Sequence, residues 1–451
     1  MTVSTSRLTR KFFLKFGVSV FLLAILVAFG ALHALVPGLY KLMVVKLYDI
    51  NGEPPFADLR DILQAGVCWR HGVNVYAPSA CLNGGIFNYS PLLLYVANLP
   101  IDVSDRVSGG IIMALVFIVS VSLLPSARST HELWIRYAAA GSTAVWYAIE
   151  QGNLDIFLFA LVMLGVWLLC DKGRLSWLSY ALFGLVAAAK FYPAALFILG
   201  LRERLVRLML LVMIAGVAAC LILIIHGSGI LRVLHAIPLC QPFRATFGAR
   251  DLLSGLALLH VLPWRSAPHV IRPYYPDIAL SSARGWQDLL TALMSFGALA
   301  LASVRVKHYA SVLLKISKRR LTFLVAGALI IVFCFFAAQN VYYRSIYLLM
   351  LVPGYWDLAY PRSGKGDRCA RWILIMIPVL LWEALIRQGI HGVTLVLFPA
   401  GFEAVVAIIV WLVRELLWWW LIIELMGLII AIAHHELLRL NRELRHLCTK
   451  N

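Results

Sequence analysis

Two acids, Asp58 and Asp61, stand three residues apart in the stretch PPFADLRDILQAG, in a chain that has only 22 acidic residues among 451. On a short helix this spacing places both carboxylates on one face. A carboxylate that faces a cavity at the membrane surface can take a proton from a hydroxyl group. Both acids could instead be solvated and pair with Arg60 or Arg70, so the residue types alone leave a catalytic and a structural interpretation open.

Two cations could grip a phosphate group. Lys190 stands in the motif KFYP, and Arg344 stands in the motif VYYRS. Arginine offers a planar fork of donors and lysine a point charge, and both suit phosphate oxygens. Either side chain could instead extend its charged end towards the membrane surface without binding a ligand.

Three further motifs carry candidates for a substrate pocket. EQGNLD contains Asn153 and Asp155, GVNVY contains Tyr76, and FNYSP contains Tyr89. Asp155 precedes an apolar run, where an acid is either a functional ionisable group or a helix cap. Single tyrosines are also typical of the aromatic belt at a membrane surface, so each motif alone has a structural alternative.

Membrane helices must position these residues. Apolar residues make up 62% of the chain, charged residues make up 14%, and the mean hydropathy is +0.85. The net charge of +18 lies in short clusters between apolar runs, which excludes a nucleic-acid interface. Eleven to thirteen apolar segments predict an all-α, polytopic bundle, one membrane domain over residues 1–451. Two long loops interrupt it, at about 37–89 and about 227–285.

Basic residues orient the bundle, because loops rich in lysine and arginine stay in the cytoplasm. The segment 305–320 has six bases and no acid, whereas the first long loop has four of each and is predicted to face outwards. Consistent orientation requires a break at KFYP, with one helix from Ser176 to about Ala189. The basic C-terminus falls on the wrong side, which indicates that one span between 372 and 433 is misdrawn.

Cysteine and histidine spacing narrows the site chemistry. Cys68 and Cys81 share the first outer loop, where they form either a disulfide or two buried thiols. His235, His260 and His269 lack the spacing of metal ligands. We therefore predict no cofactor; a divalent metal, for which only Asp61 or Asp155 could assist Asp58 as a ligand, is the less favoured alternative.

The order of the motifs resembles membrane glycosyltransferases of the GT-C superfamily, and most closely glycosyltransferase family 87. The likeness runs over about residues 40–360, through FADLRDILQAGVCWRHGVNVYAP, FNYSPLLLYVANLP, EQGNLD, GLVAAAKFYP and VYYRSIYLLMLVP. The resemblance implies a GT-C helical bundle with outer juxtamembrane helices and broken helices around a cavity. It further implies an inverting transferase that moves a hexose, with mannose as first choice, from a polyprenyl-phosphate donor to a glycolipid or glycan acceptor.

The resemblance also implies roles for individual residues. Asp58 is the catalytic base, and Lys190 and Arg344 bind the donor phosphate. The substrate-pocket candidates are Asp61, Tyr76, Tyr89, Asn153, Asp155 and Tyr343. The enzyme would be a multi-pass protein of the cell membrane with its active site on the extracytoplasmic side, and its partners would be the donor, the acceptor and membrane lipids.

Two departures and two alternatives accompany this interpretation. The second long loop reads TFGARDLLSGLA where family members often have an Asn-Gln-Ser stretch, and the spans after residue 370 match no known pattern. A polysaccharide polymerase or ligase would use Arg244, Arg250 and His260 instead. A transporter or flippase predicts charges at the membrane midplane and an internal repeat, neither of which the sequence indicates.

Overall fold

The structure is a computed structural model. It describes residues 2–48, 55–171, 175–236, 246–261, 284–337, 340–362, 364–399 and 402–448. Arg244 and His269 lie outside the described residues, as do the side chains of His235 and His260. The metal and ligase alternatives that name these four residues therefore stay untested.

The described chain is almost entirely helical, which confirms the all-α prediction. In chain order the α-helices are α1 Thr2–Leu35, α2 Pro37–Tyr48, α3 Ala57–Arg70, α4 Arg106–Val121, α5 Thr130–Ala140, α6 Thr143–Glu150, α7 Leu154–Cys170, α8 Ser176–Ala189, α9 Leu205–Ala236, α10 Asp251–Val261, α11 Arg284–Val312, α12 Lys318–Ala337, α13 Val352–Ala359, α14 Arg368–Leu381, α15 Glu383–Leu397 and α16 Phe402–Cys448.

Shorter elements connect these helices. Single turns of 3-10 helix occupy Ala80–Leu82, Val103–Asp105 and Leu313–Lys315, and longer 3-10 helices occupy Pro91–Asn98, Tyr192–Arg202 and Tyr342–Met350. Two strands, β1 Thr246–Phe247 and β2 Asn340–Val341, pair antiparallel with Thr246 opposite Val341. Parts of both predicted loops are helical, because α2 occupies 37–48 and α9 continues to Ala236.

The chain forms two compact units, each assembled from segments that are distant in sequence. Unit 1 comprises Met1–Gly52, Ser126–Tyr147 and Leu239–Ala431. Unit 2 comprises Glu53–Pro125, Ala148–Pro238 and Ile432–Asn451. Asp58 and Lys190 therefore belong to unit 2, whereas Arg344 belongs to unit 1.

Fewer helices could cross a membrane than the eleven to thirteen segments predicted. Within the described residues six are long and apolar enough, and two bent pairs raise the number to eight if each pair is one span. The six are Leu8–Leu35, Val103–Val121, Leu205–Val233, Trp286–Val312, Lys318–Ala337 and Phe402–His446. The prediction counted more segments because it included short apolar runs, such as 193–201 and 342–358, that fold as 3-10 or short α-helices.

The break at KFYP is confirmed. Helix α8 ends at Ala189, and Lys190 has an extended backbone with φ −142° and ψ 136°. The chain then returns as the 3-10 helix Tyr192–Arg202, which begins with Pro193 in its first turn. On the way back it reaches the start of α8, where Arg207 Nη1 donates to Ser176 Oγ at 3.2 Å. The arginines that follow this hairpin thus lie a helix length away from Lys190.

Between residues 372 and 433, where one span was expected to be misdrawn, the structure differs from the three predicted segments. Helices α14 and α15 form one pair bent by 70°, and the two segments predicted at 394–413 and 416–433 merge into the single helix α16. If the bent pair is one span, the chain crosses the membrane twice in this region and not three times. An even number of crossings places the basic C-terminus on the cytoplasmic side, as the charge bias requires.

The first outer loop has its own small core in unit 2. Cys68 and Cys81 form a disulfide, so the disulfide alternative is the one that the structure supports. Val75, Phe87 and Leu94 pack around Cys68. The bond ties the end of α3 to the segment that carries Tyr76.

Unit 1 contains a buried ionic cluster at the start of α12. Arg320 Nη1 lies 3.0 Å from Asp357 Oδ1, and Arg320 Nη2 donates to Glu132 Oε2 at 3.1 Å. Arg128 lies 2.8 Å from the other Asp357 oxygen, and Arg136 donates to Glu132. Each acid of this cluster therefore contacts two guanidinium groups.

Candidate active site

The loop at the start of α7 holds the first turn of α3. The backbone N–H of Phe56 donates to Glu150 O at 2.6 Å, and that of Asp58 donates to Gln151 O at 2.9 Å. Phe56 precedes the helix in the left-handed region, with φ 64° and ψ 43°. These bonds satisfy N–H groups that a helix start leaves without partners, and they fix Asp58 beside the motif EQGNLD.

Gly152 makes this close approach possible. Its φ is +59°, a conformation that favours glycine. A Cβ atom at this position would lie 3.1 Å from the Cβ atoms of both Phe56 and Leu59. The conformation and the close contact both favour glycine here.

Asp58 accepts a hydrogen bond from Asn153, which joins the first outer loop to the second motif. Asn153 Nδ2 lies 2.5 Å from Asp58 Oδ2. Burial raises the pKa of Asp58 above its usual value, while the Asn153 bond and the charge of Lys190 act to lower that pKa. The nearby charges of Asp61 and Asp155 raise the pKa further. A carboxylate whose pKa is raised is a stronger base when it is ionised.

Asp155 is a buried ion-pair partner, and the capping role falls to its neighbour. Asn153 Oδ1 caps α7 by accepting the Asp155 N–H at 2.9 Å. The Asp155 carboxylate accepts from Lys190 Nζ at 2.8 Å and from the Tyr192 hydroxyl at 2.5 Å. Lys190 is only 8% exposed, so it does not extend towards the membrane surface.

Aromatic side chains continue the cluster from Lys190. Lys190 Nζ lies 5.2 Å from the centroid of the Tyr89 ring, within the range of a cation–π contact. Phe87 packs between Tyr89 and Tyr76, with ring centroids 5.5 and 5.9 Å away. Burial raises the pKa of Tyr76 to about 12. Its buried hydroxyl has no hydrogen-bond partner among the described residues.

Arg344 and Tyr343 belong to unit 1 and contact other residues of that unit. Arg344 Nη1 donates to Asn340 Oδ1 at 2.6 Å. The Asn340 amide is itself fixed, since Nδ2 donates to Cys334 O at 2.5 Å. Tyr343 stacks on Tyr147 with centroids 5.8 Å apart and an interplanar angle of 12°.

Comparison with known proteins identifies the chemistry at a general level. The model of Glycosyltransferase family 87 matches residues 91–235, which include EQGNLD and KFYP. The match confirms the resemblance to family 87, a family of GT-C type membrane glycosyltransferases. The chain is a membrane glycosyltransferase. No curated protein and no solved structure matches it. Asp58, Tyr343 and Arg344 lie outside the matched residues.

Asp61 differs from Asp58 although both belong to the first turns of α3 in this glycosyltransferase. The Asp61 side chain is 69% exposed and pairs with Arg60 at 3.1 Å. Helical spacing placed both acids on one face, but the loop that contains Gly152 covers only the first. The structure therefore separates the two candidates that the sequence could not.

Four residues of the glycosyltransferase join these groups without having been predicted as site residues. Glu150 and Gln151 hold the start of α3 through their carbonyl oxygens, Tyr192 donates to Asp155, and Asn340 accepts from Arg344. Tyr192 could have been found, because it stands in KFYP beside Lys190. The two carbonyl contacts leave no signal in residue type.

The metal and ligase alternatives can be compared only with the described part of the glycosyltransferase. No group of three His, Cys, Asp or Glu residues there could hold a metal ion. Arg250, a candidate for the ligase alternative, forms an exposed ion pair with Asp288 at 3.2 Å. Exposed pairs of this kind are typical surface contacts.

Proposed function

We propose that this glycosyltransferase moves a hexose, with mannose as the first candidate, from a polyprenyl-phosphate donor to a glycolipid or glycan acceptor. The reaction would be a single displacement that inverts the anomeric carbon. One observation carries the proposal: Asn153 of EQGNLD bonds to Asp58, and the adjacent Asp155 bonds to Lys190 of KFYP. Three motifs of the family resemblance thus form one cluster within unit 2.

Asp58 is proposed as the base that takes the proton of the acceptor hydroxyl. Its carboxylate is half-buried and accepts a hydrogen bond from the neutral amide of Asn153. The raised pKa makes the ionised form a better proton acceptor, provided that the pH is high enough to ionise it. The acceptor oxygen would then attack the anomeric carbon from the face opposite the phosphate.

Lys190 is proposed to stabilise the charge of the departing lipid phosphate. An ammonium group is a compact positive charge that suits phosphate oxygens, and the Asp155 carboxylate at 2.8 Å holds that of Lys190 in place within the cluster. Arg344 is the second candidate, on the strength of the VYYRS motif. Because a phosphate leaving group departs as an anion, the reaction needs no acid to protonate it, and we propose that no metal is required.

We place the reaction on the extracytoplasmic face of the cell membrane. The Cys68–Cys81 disulfide supports this side, because disulfides persist in oxidising compartments. The excess of bases in 305–320 supports a cytoplasmic position for the opposite helix ends.

The test is transfer of label from radiolabelled polyprenyl-phosphate mannose in membranes that contain the full chain. Wild type should transfer label, and Asp58→Asn should lose about 10²–10⁴-fold in rate, the usual contribution of a general base. Asp61→Asn is the matched control, since it neutralises an exposed acid on the same helix. The anomeric configuration of the product should be inverted.

Two results would count against the proposal. Transfer by Asp58→Asn at the wild-type rate would remove the assigned base. Transfer from a diphosphate-linked donor, with none from the monophosphate donor, would favour the polymerase or ligase alternative. Parallel donors that carry glucose or arabinose test the choice of sugar.

A further inference from the structure

A charged cavity lies in unit 1, with a volume of about 370 Å³. It forms where the connection between α11 and α12 meets the connection between α13 and α14. Cavities of about 300–1,000 Å³ are typical of small-ligand sites. Its charged lining consists of Arg305, His308, Lys315, Lys365, Asp367 and Arg368.

Positive charge in this lining exceeds negative charge. Four side chains carry permanent positive charges, against one carboxylate. Glu424 compensates Arg305 at 3.0 Å. Lys315, Lys365 and Arg368 form no ion pair within the part of the chain that the structure describes. Three cations of the cavity are therefore without a carboxylate partner.

Both carboxylate oxygens of Asp367, the one acid of the cavity, already have partners. Asp367 Oδ2 lies 2.6 Å from His308 Nε2. Its other oxygen caps α14 by accepting the Ala370 N–H at 3.2 Å. Asp367 thus fixes the wall of the cavity without neutralising the three cations.

The cavity lies at helix ends on the basic side of unit 1. Lys315 stands between the spans Trp286–Val312 and Lys318–Ala337. Helix α12 then runs for 20 residues, about 30 Å, before Asn340 and Arg344 follow. The cavity is therefore separated from Arg344 by the thickness of a bilayer core.

Apolar groups adjoin the cations. Val312 and Leu358 line the same cavity. The apolar window of α11, the helix that leads to it, is only 11% buried within the protein, so its surface is available to lipid chains. A ligand with a phosphate group and an acyl chain would satisfy both parts of this surface.

We propose that this cavity binds the phosphate headgroup of an anionic phospholipid from the leaflet that the basic connections face. The leaflet supplies such lipids at high local concentration, and clustered lysine and arginine residues at a membrane surface attract them. This site goes beyond the proposed transfer reaction and involves none of its residues.

The test measures binding of short-chain phosphatidic acid to the full chain in neutral detergent, with phosphatidylcholine as the uncharged comparison. The double variant Lys365→Gln/Arg368→Gln should weaken phosphatidic acid binding at least tenfold. The matched control is Lys307→Gln/Arg362→Gln, which removes two exposed charges near the cavity but outside its lining. The control should bind as wild type does.

Several outcomes decide the proposal. Equal weakening by the two double variants would indicate diffuse surface charge and overturn the site. If inorganic phosphate displaces phosphatidic acid at equal concentration, the site recognises phosphate alone, and the proposal that its ligand is a lipid is wrong. The charge-preserving variant Lys365→Arg/Arg368→Lys should retain binding, and its loss of binding at an unchanged unfolding temperature would also count against the proposal. The assay contains no sugar donor, so its result is independent of transfer activity.

Discussion

The two units each contain an ionic cluster away from solvent, and the clusters differ in their balance of charge. In unit 1, three arginines surround two acids, and both acids contact guanidinium groups at 2.8–3.1 Å. In unit 2, the carboxyl groups of Asp58 and Asp155 lie near Lys190, and that of Glu150 lies near Asp58. Lys190 bonds to Asp155, and Asp58 bonds to the neutral amide of Asn153.

This difference fits a stabilising role for the unit 1 cluster and the proposed catalytic role of the unit 2 cluster. A buried charge is costly unless an opposite charge and hydrogen bonds compensate it. The Arg320 cluster meets that condition, whereas Asp58 keeps a raised pKa because burial outweighs its favourable partners. Conflicts of this kind are expected where a protein accepts a loss of stability for function.

The largest expected effect is opposite behaviour of the two clusters when one charge is removed. Arg320→Met should lower the free energy of unfolding by about 3–5 kcal/mol, because it leaves buried acids undercompensated. Asp58→Asn should leave stability at pH 7 unchanged or higher, since an amide avoids the cost of burying a charge. Unfolding in detergent, followed by circular dichroism, measures both.

The pH dependence of stability supplies the check. The folded protein binds the Asp58 proton more tightly than the unfolded chain does, so this group lowers wild-type stability as pH rises from the ordinary carboxyl pKa through the raised one. Asp58→Asn should remove that part of the dependence. If Asp58→Asn is less stable than wild type at neutral pH, Asp58 stabilises the fold, as the acids of the Arg320 cluster do.

The next largest effect concerns the contact between Gly152 and α3. Gly152→Ala should lower both stability and transfer rate, because the new Cβ would displace Phe56 and Leu59 and with them Asp58. Left-handed strain alone costs about 1–2 kcal/mol. Gly84→Ala is the matched control, with φ +80° and no atom within 4 Å of its Cβ. Equal loss of activity in both variants would refute the positioning role of Gly152.

A smaller effect is expected when Asp58 loses its amide partner. Asn153→Ser keeps an oxygen to cap α7 but lacks the amide that stabilises ionised Asp58. The pKa of Asp58 should rise further, so the acidic limb of the pH–rate profile should move to higher pH. The exposed Asn88→Ser should leave the limb in place. If the acidic limb does not move in Asn153→Ser, that limb reports the titration of a group other than Asp58.

The smallest effect should follow Asp61→Asn. The side chain is exposed, so stability should change by no more than about 0.5 kcal/mol. Its charge raises the pKa of Asp58, and removal should therefore shift the acidic limb slightly to lower pH, opposite to Asn153→Ser. A large loss of transfer rate at the optimum would instead make Asp61 part of the substrate pocket.

The sequence predicts the local features of this site better than its contacts. Proline rules and charge bias together locate the end of α8 at Ala189, and periodicity locates Asp58 on a helix. The Lys190–Asp155 pair joins residues 35 positions apart, and the Asn153–Asp58 bond joins residues 95 apart. Such contacts depend on how elements pack, which no local pattern encodes. The number of membrane spans is hard to predict for a related reason, because composition cannot distinguish a short buried 3-10 helix from a membrane-crossing helix.

The disulfide of the first outer loop has a practical consequence for work on this enzyme. It fastens the end of α3 to the segment of Tyr76, and Gln64 Nε2 adds a bond to Cys81 O at 3.1 Å. Dithiothreitol would break the covalent link, and a reducing expression host would prevent it from forming, while every proposed catalytic side chain stays chemically intact. The oxidation state of the disulfide is therefore an experimental variable. Mobility on a non-reducing gel should be recorded for each preparation whose transfer rate is measured.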